Sequence, residues 1–337
     1  MSSRFLASAL LLALAPLAAA DCGDGRLVLR SDNDVYGQAG QDQGYSAGFA
    51  ATYVSPTVSG HDSACLPGLV GWLDRATPWL RWGQGTQRNL ALSLHHAIYT
   101  PADGQRADVI PEDRPYAGLL LLGLAHHVRN GERLASTRLK LGMVGPSAQG
   151  EMAQDALHQL FGRDRFRGWD NQLRDEPLLQ LGHERAWRWR PDAGANGLGW
   201  DHVVFAGGAL GNAITYANAG VEVRFGRNLP DDFGSNPMRM AGDGIAPGGE
   251  GNARGWDWHF FASFEARGVA HDITLDGGSA KDGHAVDRRV LVGELGLGVV
   301  LTHGPWRFAG GHYRRTREFT GQPDRPVYGS LSLGRSF

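Results

Sequence analysis

Three small groups of polar side chains carry the chemistry this sequence can offer. Asp32, Asn33 and Asp34 stand together near the start, Ser46 follows within Gln43-Gly-Tyr-Ser46-Ala-Gly48, and Gln154 and His158 lie within residues 146–162. Spaced i and i+4, Gln154 and His158 share one face if that stretch is helical. Carboxylate and amide oxygens together suit a hard cation such as Ca²⁺. Such a cation polarises an ester carbonyl, and an imidazole takes a proton from water. No Gly-x-Ser-x-Gly elbow is present, so activated water fits these residues better than a serine nucleophile. The plainer alternatives are that residues 32–34 merely begin a turn and that His158 packs on a loop helix.

The elements that must position these groups read as strands of a membrane barrel. In the final segment Val327, Gly329, Leu331, Leu333 and Phe337 fall on one face by period-two alternation, apolar toward lipid with small or polar residues toward a lumen. In 256–265, Trp256, Trp258, Phe260, Ala262 and Phe264 face lipid while His259, Ser263 and Glu265 face inward. In 290–301, Leu291, Leu295, Leu297, Val299 and Leu301 face outward and Glu294 inward. Similar segments at 27–36, 45–55, 87–99, 116–128, 136–144, 177–188, 201–210, 220–226, 306–317 and 327–337 bring the expected total to about twelve. The fold class is therefore all-β, an antiparallel transmembrane barrel.

Residues 1–20 carry Arg4, an apolar run and Ala18-Ala19-Ala20, the form of a cleaved secretory signal, which leaves 21–337 as one barrel domain. Beyond it no apolar run reaches the ~18 residues of a membrane helix. Forty-nine glycines and a net charge of −2 suit strands and turns and give no basic groove for nucleic acid. Cys22 and Cys65 sit on the same side of an up-and-down barrel in an oxidising compartment. A disulfide between them and two separate thiols both remain open.

Two stretches interrupt the strand pattern. Within 66–82, Leu69, Val70, Leu73 and Leu80 are spaced as in a short amphipathic helix. Within 146–162, Ser147 is the expected N-cap, Glu151 falls in the first turn, Gly162 marks the stop, and Ala153, Leu157, Leu160 and Phe161 form the apolar stripe. The strand count puts this second helix in an extracellular loop, where it covers a site rather than building the wall. Strict alternation would send Asn33 and Asp34 to opposite faces, so both serve one site only if the strand ends or bulges there.

Further blocks complete a resemblance. Asp32-Asn33-Asp34, Asp42-Gln-Gly-Tyr45-Ser46-Ala-Gly48, Tyr99-Thr-Pro101, Asp113-Arg-Pro-Tyr-Ala-Gly118, Leu141-Gly-Met-Val-Gly-Pro146, the Gln154/His158 pair and Gly168-Trp-Asp-Asn-Gln-Leu173 with Glu176-Pro177 occur in order. Over about residues 27–185 the chain resembles the lipid A 3′-O-deacylase family of outer-membrane enzymes, the LpxR type. That resemblance implies a twelve-stranded monomeric barrel in the bacterial outer membrane, with its active site facing outward between wall and helix. It implies Ca²⁺-dependent removal of the 3′-linked acyloxyacyl group from the lipid A of lipopolysaccharide. By position His158 would be the general base with Gln154 beside it, and Asn33 and Asp34 would form the cation site. Ser46 stands where the family usually has threonine, and Asp32 and Ala47 also depart from its Glu-Asn-Asp and Tyr-Thr-Asn-Gly blocks. A phospholipase of the same membrane and a passive barrel or channel are the competing readings.

Asp113-Arg114-Pro115-Tyr116 and Trp169-Asp170-Asn171-Gln172 either contact substrate directly or are structural, Asp113 with Arg114 as a loop-locking ion pair and Trp169 as an aromatic-belt residue. Arg163, Arg165 and Arg167 are either phosphate contacts or a solvated charge cluster. The adjacent pairs His95/His96 and His126/His127 split between strand faces and are assigned no role.

Overall fold

The computed structural model describes residues 25–37, 43–59, 66, 68–191, 197–235, 255–279 and 283–337. The expected signal at 1–20, and Cys22 and Cys65, lie outside the described residues. Twelve long antiparallel strands form the wall: β1 Arg26–Asn33, β2 Gly44–Val54, β3 Gln87–Thr100, β4 Ala117–Asn130, β5 Arg133–Val144 and β6 Glu176–Trp189. They continue as β7 Leu198–Gly211, β8 Ile214–Arg227, β9 Trp256–Asp272, β10 Leu291–His303, β11 Trp306–Arg315 and β12 Val327–Ser336. Each pairs with its chain neighbours, and β1 pairs with β12 over Arg26↔Ser336 to Asn33↔Gly329, which closes the barrel. A two-residue ladder, Val58–Ser59, adds to the start of β3. No described helix is long and apolar enough to cross a membrane.

Alternation fixes the two faces as expected. On β9, Trp256, Phe260 and Phe264 are exposed on the outer face while Asp257, His259 and Glu265 are buried toward the lumen. The β4–β5 and β10–β11 connections are two-residue turns that need a residue at positive φ, supplied by Gly131 at 56° and Gly304 at 53°. Both ends of the barrel chain, Arg26 and Ser336, meet at one rim, here the terminal rim; the opposite end is the distal rim.

The lumen is filled rather than open at its distal half. Tyr45 packs 5.4 Å from both Tyr99 and Tyr328, and Tyr328 stacks 5.1 Å from Tyr313. Around these rings Arg315 pairs with Glu294 at 2.6 Å and with Glu318 at 2.8 Å, and Arg267 pairs with Glu265 at 3.1 Å. Charges removed from water persist there because each finds an opposite partner.

Among the described residues four α-helices accompany the wall: α1 Asp34–Gly37, α2 Gly68–Ala76, α3 Gly150–Phe161 and α4 Ile273–Asp276. The first strand is shorter than the expected 27–36, because the chain turns helical at Asp34. Ser147 is not the N-cap of α3. It lies in a 3-10 turn, Pro146–Ala148, its hydroxyl donating to Asp175 at 2.7 Å, and Gln149 caps α3 in the left-handed region. Glu151 does fall in the first turn, and Gly162 ends the helix at φ 66°.

Candidate functional site

The position of α3 is decided by two glycines. A Cβ on Gly118 of β4 would lie 2.8 Å from the Gly150 Cα, and one on Gly150 would lie 2.8 Å from the Gly118 Cα. Gly118 pairs with Ile98 of β3, whose even-numbered neighbours Leu94 and His96 line the outer surface, so the contact lies on the lipid-facing side. The helix is therefore laid against the outside of the wall at the distal rim; it does not plug the lumen. His96 Nε2 reinforces this at 2.7 Å from the Ala148 carbonyl.

The face that α3 turns to the wall differs from the expected stripe. Ala153 and Leu157 pack on Ala47, Ile98, Tyr116 and Trp169, but Leu160 and Phe161 are 75% and 47% exposed. The side chains buried instead are Gln154 and His158. The exposed face of α3 is mixed, with Glu151 and Gln159 beside Met152, Leu160 and Phe161.

Trp169 is buried beneath α3 rather than placed in an aromatic belt, and its Nε1–H donates to Gln154 Oε1 at 2.9 Å. His158 Nδ1 lies 2.5 Å from the Asp164 carbonyl oxygen, which only accepts, so Nδ1 carries the hydrogen and Nε2 carries the lone pair in the neutral ring. The ring edge meets Phe166 at 4.9 Å between centroids.

Asn33 and Asp34 converge because β1 stops between them. Asn33 Oδ1 and Asp34 Oδ1 both accept from the Val35 N–H, at 2.9 and 2.8 Å, and Asp34 Oδ2 accepts from the Gln43 N–H at 2.8 Å. The turn of α1 is seated over β12, where a Cβ on Gly329 would lie 2.5 Å from the Tyr36 Cβ. Asp32 points the other way, into the lumen, and accepts from the Tyr45 hydroxyl at 3.2 Å. Ser46 is the extra residue of a bulge between Tyr45 and Ala47, and its hydroxyl bonds that of Thr100.

These elements share one place. Asn33 pairs with Ala47, and Ala47 belongs to the cluster on which Ala153 and Leu157 rest. The tip of β1, the Ser46 bulge and the buried face of α3 thus meet on the same side of the wall at the same rim. Immediately below, an open apolar hollow of about 770 Å³ runs down the outer wall past Phe49, Ala51, Leu94, Leu120, Leu301 and Leu333.

Sequence reasoning missed Trp169, Thr100 and His96 as partners of the site. The signal for the close approach at Gly118 was present, as a glycine at the start of an apolar strand. Asp113 and Arg114 do not form the expected ion pair. Asp113 accepts from the Ala102 and Arg114 backbone N–H groups, both at 2.7 Å, whereas Arg114 turns to Glu318 at 3.4 Å and lies over the Tyr99 ring. Burial pushes the Glu318 carboxyl up, but the Arg114 and Arg315 guanidiniums outweigh it and hold the group below its ordinary value. Of the three basic residues after α3, Arg165 is 3.3 Å from Asp155 and largely exposed. The histidine pairs do split between faces: His95 and His127 are lumenal, while His96 holds α3 and His126 meets Thr77 at 2.8 Å outside.

The family profile for outer membrane protein LpxR matches residues 5–337. The chain belongs to the LpxR family. Among solved structures, LpxR from Salmonella typhimurium superposes with a TM-score of 0.73 at 19% identity, over 93% of this chain and 100% of that one. The β-domain of the Bordetella autotransporter BrkA gives a TM-score of 0.44 at 11% identity, over 94% and 100% of the two chains. No curated protein sequence matches the chain. This LpxR-family chain is thus an outer-membrane protein with the twelve-stranded fold of the Salmonella structure.

The oxygen donors at the tip of β1 suit a hard cation. Among the described residues no three His, Cys, Asp or Glu side chains gather into a metal cage. Asn33 and Asp34 nonetheless bring an amide and a carboxylate oxygen to one point, and Ca²⁺ accepts such ligands with water or substrate oxygens completing the shell.

Proposed function

We propose that this LpxR-family protein is a lipid A 3′-O-deacylase, hydrolysing the ester that joins the acyloxyacyl group to the 3′ position of lipid A. The observation that carries this reading is the seat of α3 on the lipid-facing side of the wall, fixed by the Gly118–Gly150 contact. Gln154 and His158 thereby lie buried between α3 and the outer surface of the wall rather than in the lumen, above an apolar hollow open to lipid chains. An ester located at the headgroup boundary reaches such a site without leaving the bilayer. In this reading the termini lie at the periplasmic rim, and the site then lies in the outer leaflet with lipopolysaccharide.

In this reading His158 Nε2 takes a proton from a water whose oxygen attacks the ester carbonyl. The Asp164 carbonyl holds the ring in the tautomer that this requires. With its Oε1 engaged by Trp169, Gln154 presents its amide N–H groups as donors toward the developing oxyanion. The Ser46 and Thr100 hydroxyls line the same wall. Collapse of the tetrahedral adduct breaks the bond to the sugar oxygen, which takes the proton from His158 and leaves a free 3′-hydroxyl and a fatty acid. Ca²⁺ held by Asn33 and Asp34 would add positive charge beside the carbonyl oxygen. In this reading the protein acts as a monomer, which is supported by one chain supplying every group named.

A passive channel is disfavoured by the tyrosine layer and ion pairs that fill the distal lumen. Mass spectrometry of lipid A and phospholipids from cells with and without the protein tests the proposal. Loss of the 3′ acyl groups only with the active chain, and its abolition by His158→Ala with the barrel intact, is the expected result. Unchanged lipid A with cleaved phospholipid makes the protein a phospholipase; unchanged lipids of both kinds remove the enzyme reading.

A further inference from the structure

At the terminal rim a second helix also lies outside the wall, and its free face is the more informative one. Val70 and Leu73 of α2 pack on Tyr53, Leu90, Leu92 and Leu124, all on the outer face of β2, β3 and β4. Asp74 of α2 pairs with Arg88 of β3 at 3.4 Å and with Arg81 at 3.0 Å, and its carboxylate lies 3.7 Å from the His126 ring of β4. Farther on, a Cβ on Gly83 would lie 2.9 Å from the Ala135 Cβ of β5, and the Trp82 ring lies 5.5 Å from that of His183 on β6. Residues 68–83 therefore form a strap across the outer surface of β3 to β6.

The strap covers a sector of wall that lipid would tolerate poorly. Outward positions at the terminal ends of these strands include Arg88, His126, Thr137 and His183, and Arg88, His126 and Thr137 are buried by what lies on them. Elsewhere around the same rim the outward positions carry exposed Trp187, Trp189, Trp200, Trp256, Trp306 and Phe337, an interfacial aromatic girdle. That girdle has a gap. On β3, β4 and β5 the corresponding outward residues are Arg88 and Leu90, His126 and Val128, and Ala135 and Thr137, with no Trp, Tyr or Phe among them.

The strap's outer face presents Leu69, Trp72, Trp79 and Trp82 at 62%, 58%, 53% and 47% exposure, with Arg75 exposed beside them. Its level matches the girdle, since Ala135 pairs with Arg185, two residues or about 7 Å along β6 from Trp187. We propose that residues 68–82 are a monotopic anchor whose Trp72, Trp79 and Trp82 complete the aromatic girdle in the leaflet at the terminal rim. The occupant of this face is the phospholipid headgroup boundary. Continuity with the girdle on the neighbouring strands argues for lipid, and so does the pattern of an apolar aromatic face opposite a polar one that is satisfied against the wall. The inference rests on the barrel and is independent of the chemistry at α3.

The test is made on the full chain in proteoliposomes of phosphatidylethanolamine and phosphatidylglycerol, with some acyl chains brominated just below the headgroup. Relative to wild type, the variant Trp72→Phe/Trp79→Phe/Trp82→Phe should lose roughly a third of the lipid-quenchable tryptophan emission, since interfacial rings are those such bromines reach. Aqueous iodide should quench wild type and variant to the same extent. Equal bromine quenching in the two proteins overturns the proposal. A wild-type component that iodide reaches and the variant lacks places the strap in water and also overturns it. Rings shielded from both quenchers mean that a second copy or another protein covers the face, which overturns it equally. Heat-modifiable migration on gels confirms the folded barrel, and if the triple variant does not fold, Trp72→Phe alone is read in the same way.

Discussion

Replacing Gly118 by alanine tests whether the seat of α3 on the wall sets the chemistry. The added methyl would lie 2.8 Å from the Gly150 Cα and equally close to its nitrogen, both backbone atoms that cannot rotate aside. Carbon atoms in contact settle at ~3.5–4.0 Å, so the helix must rise by about 1 Å. The alanine touches neither His158 nor Gln154, but it moves the helix that carries both. A displacement of about 1 Å in groups that position a reacting centre costs on the order of 10²-fold in rate, or about 2.7 kcal/mol of barrier. The assay is release of the 3′ acyl groups from purified lipopolysaccharide by detergent-solubilised protein with Ca²⁺, followed by mass spectrometry. Gly268→Ala is the control, because a Cβ there meets nothing within 4 Å and lies on the same outer face. A Gly118→Ala protein that folds, shows heat-modifiable migration and cleaves within about twofold of the Gly268→Ala control would refute the reasoning. The site would then not depend on the wall–helix contact.

Trp169→Phe keeps an aromatic ring under α3 but deletes the donor to Gln154; a buried acceptor left unpaired costs ~1–3 kcal/mol, so initial rates should fall about tenfold while barrel migration is unchanged. With a single carboxylate at the tip of β1, the concentration of Ca²⁺ giving half-maximal rate should fall near ~10⁻⁴–10⁻³ M. Asp34→Asn should raise it by about tenfold or more, read by titrating Ca²⁺ into chelator-treated protein. Glu318, whose folded carboxyl is held below its ordinary value by Arg114 and Arg315 despite burial, contributes stability that is complete above about pH 4.3 and is lost as pH falls toward its folded value. The urea midpoint of the wild-type barrel should therefore fall more steeply below about pH 4.3 than that of Glu318→Gln.

The barrel was legible because lipid and lumen impose opposite demands on alternate residues, and twelve segments of the chain obey them. Trp256, Phe260 and Phe264 outside with His259 and Glu265 inside need nothing beyond period two. Element boundaries were less accessible: β1 stops at Asn33 and β2 bulges at Ser46, and both departures occur where site residues must leave the strand pattern. Helical spacing located α2 and α3; within 66–82 it placed Val70, Leu73 and Leu80 on the packed side and missed the exposure of Leu69, but it misjudged the face of α3. Leu160 and Phe161, read as part of the apolar stripe, are exposed, while Gln154 and His158, outside that stripe, are buried. Hydropathy alone cannot separate a side that meets protein from a side that meets lipid, since both reward apolar residues.

From its residues alone this chain determined a closed antiparallel barrel, the identity of the polar groups with chemical capacity, and the two stretches that had to become helices. The side of the wall on which those helices lie was decided only in three dimensions. That choice rests on contacts between segments remote in sequence, the backbones of Gly118 and Gly150 for α3 and the pairing of Asp74 with Arg88 for α2. Local periodicity fixes which face of a strand meets lipid, but close packing between distant segments fixes what covers that face.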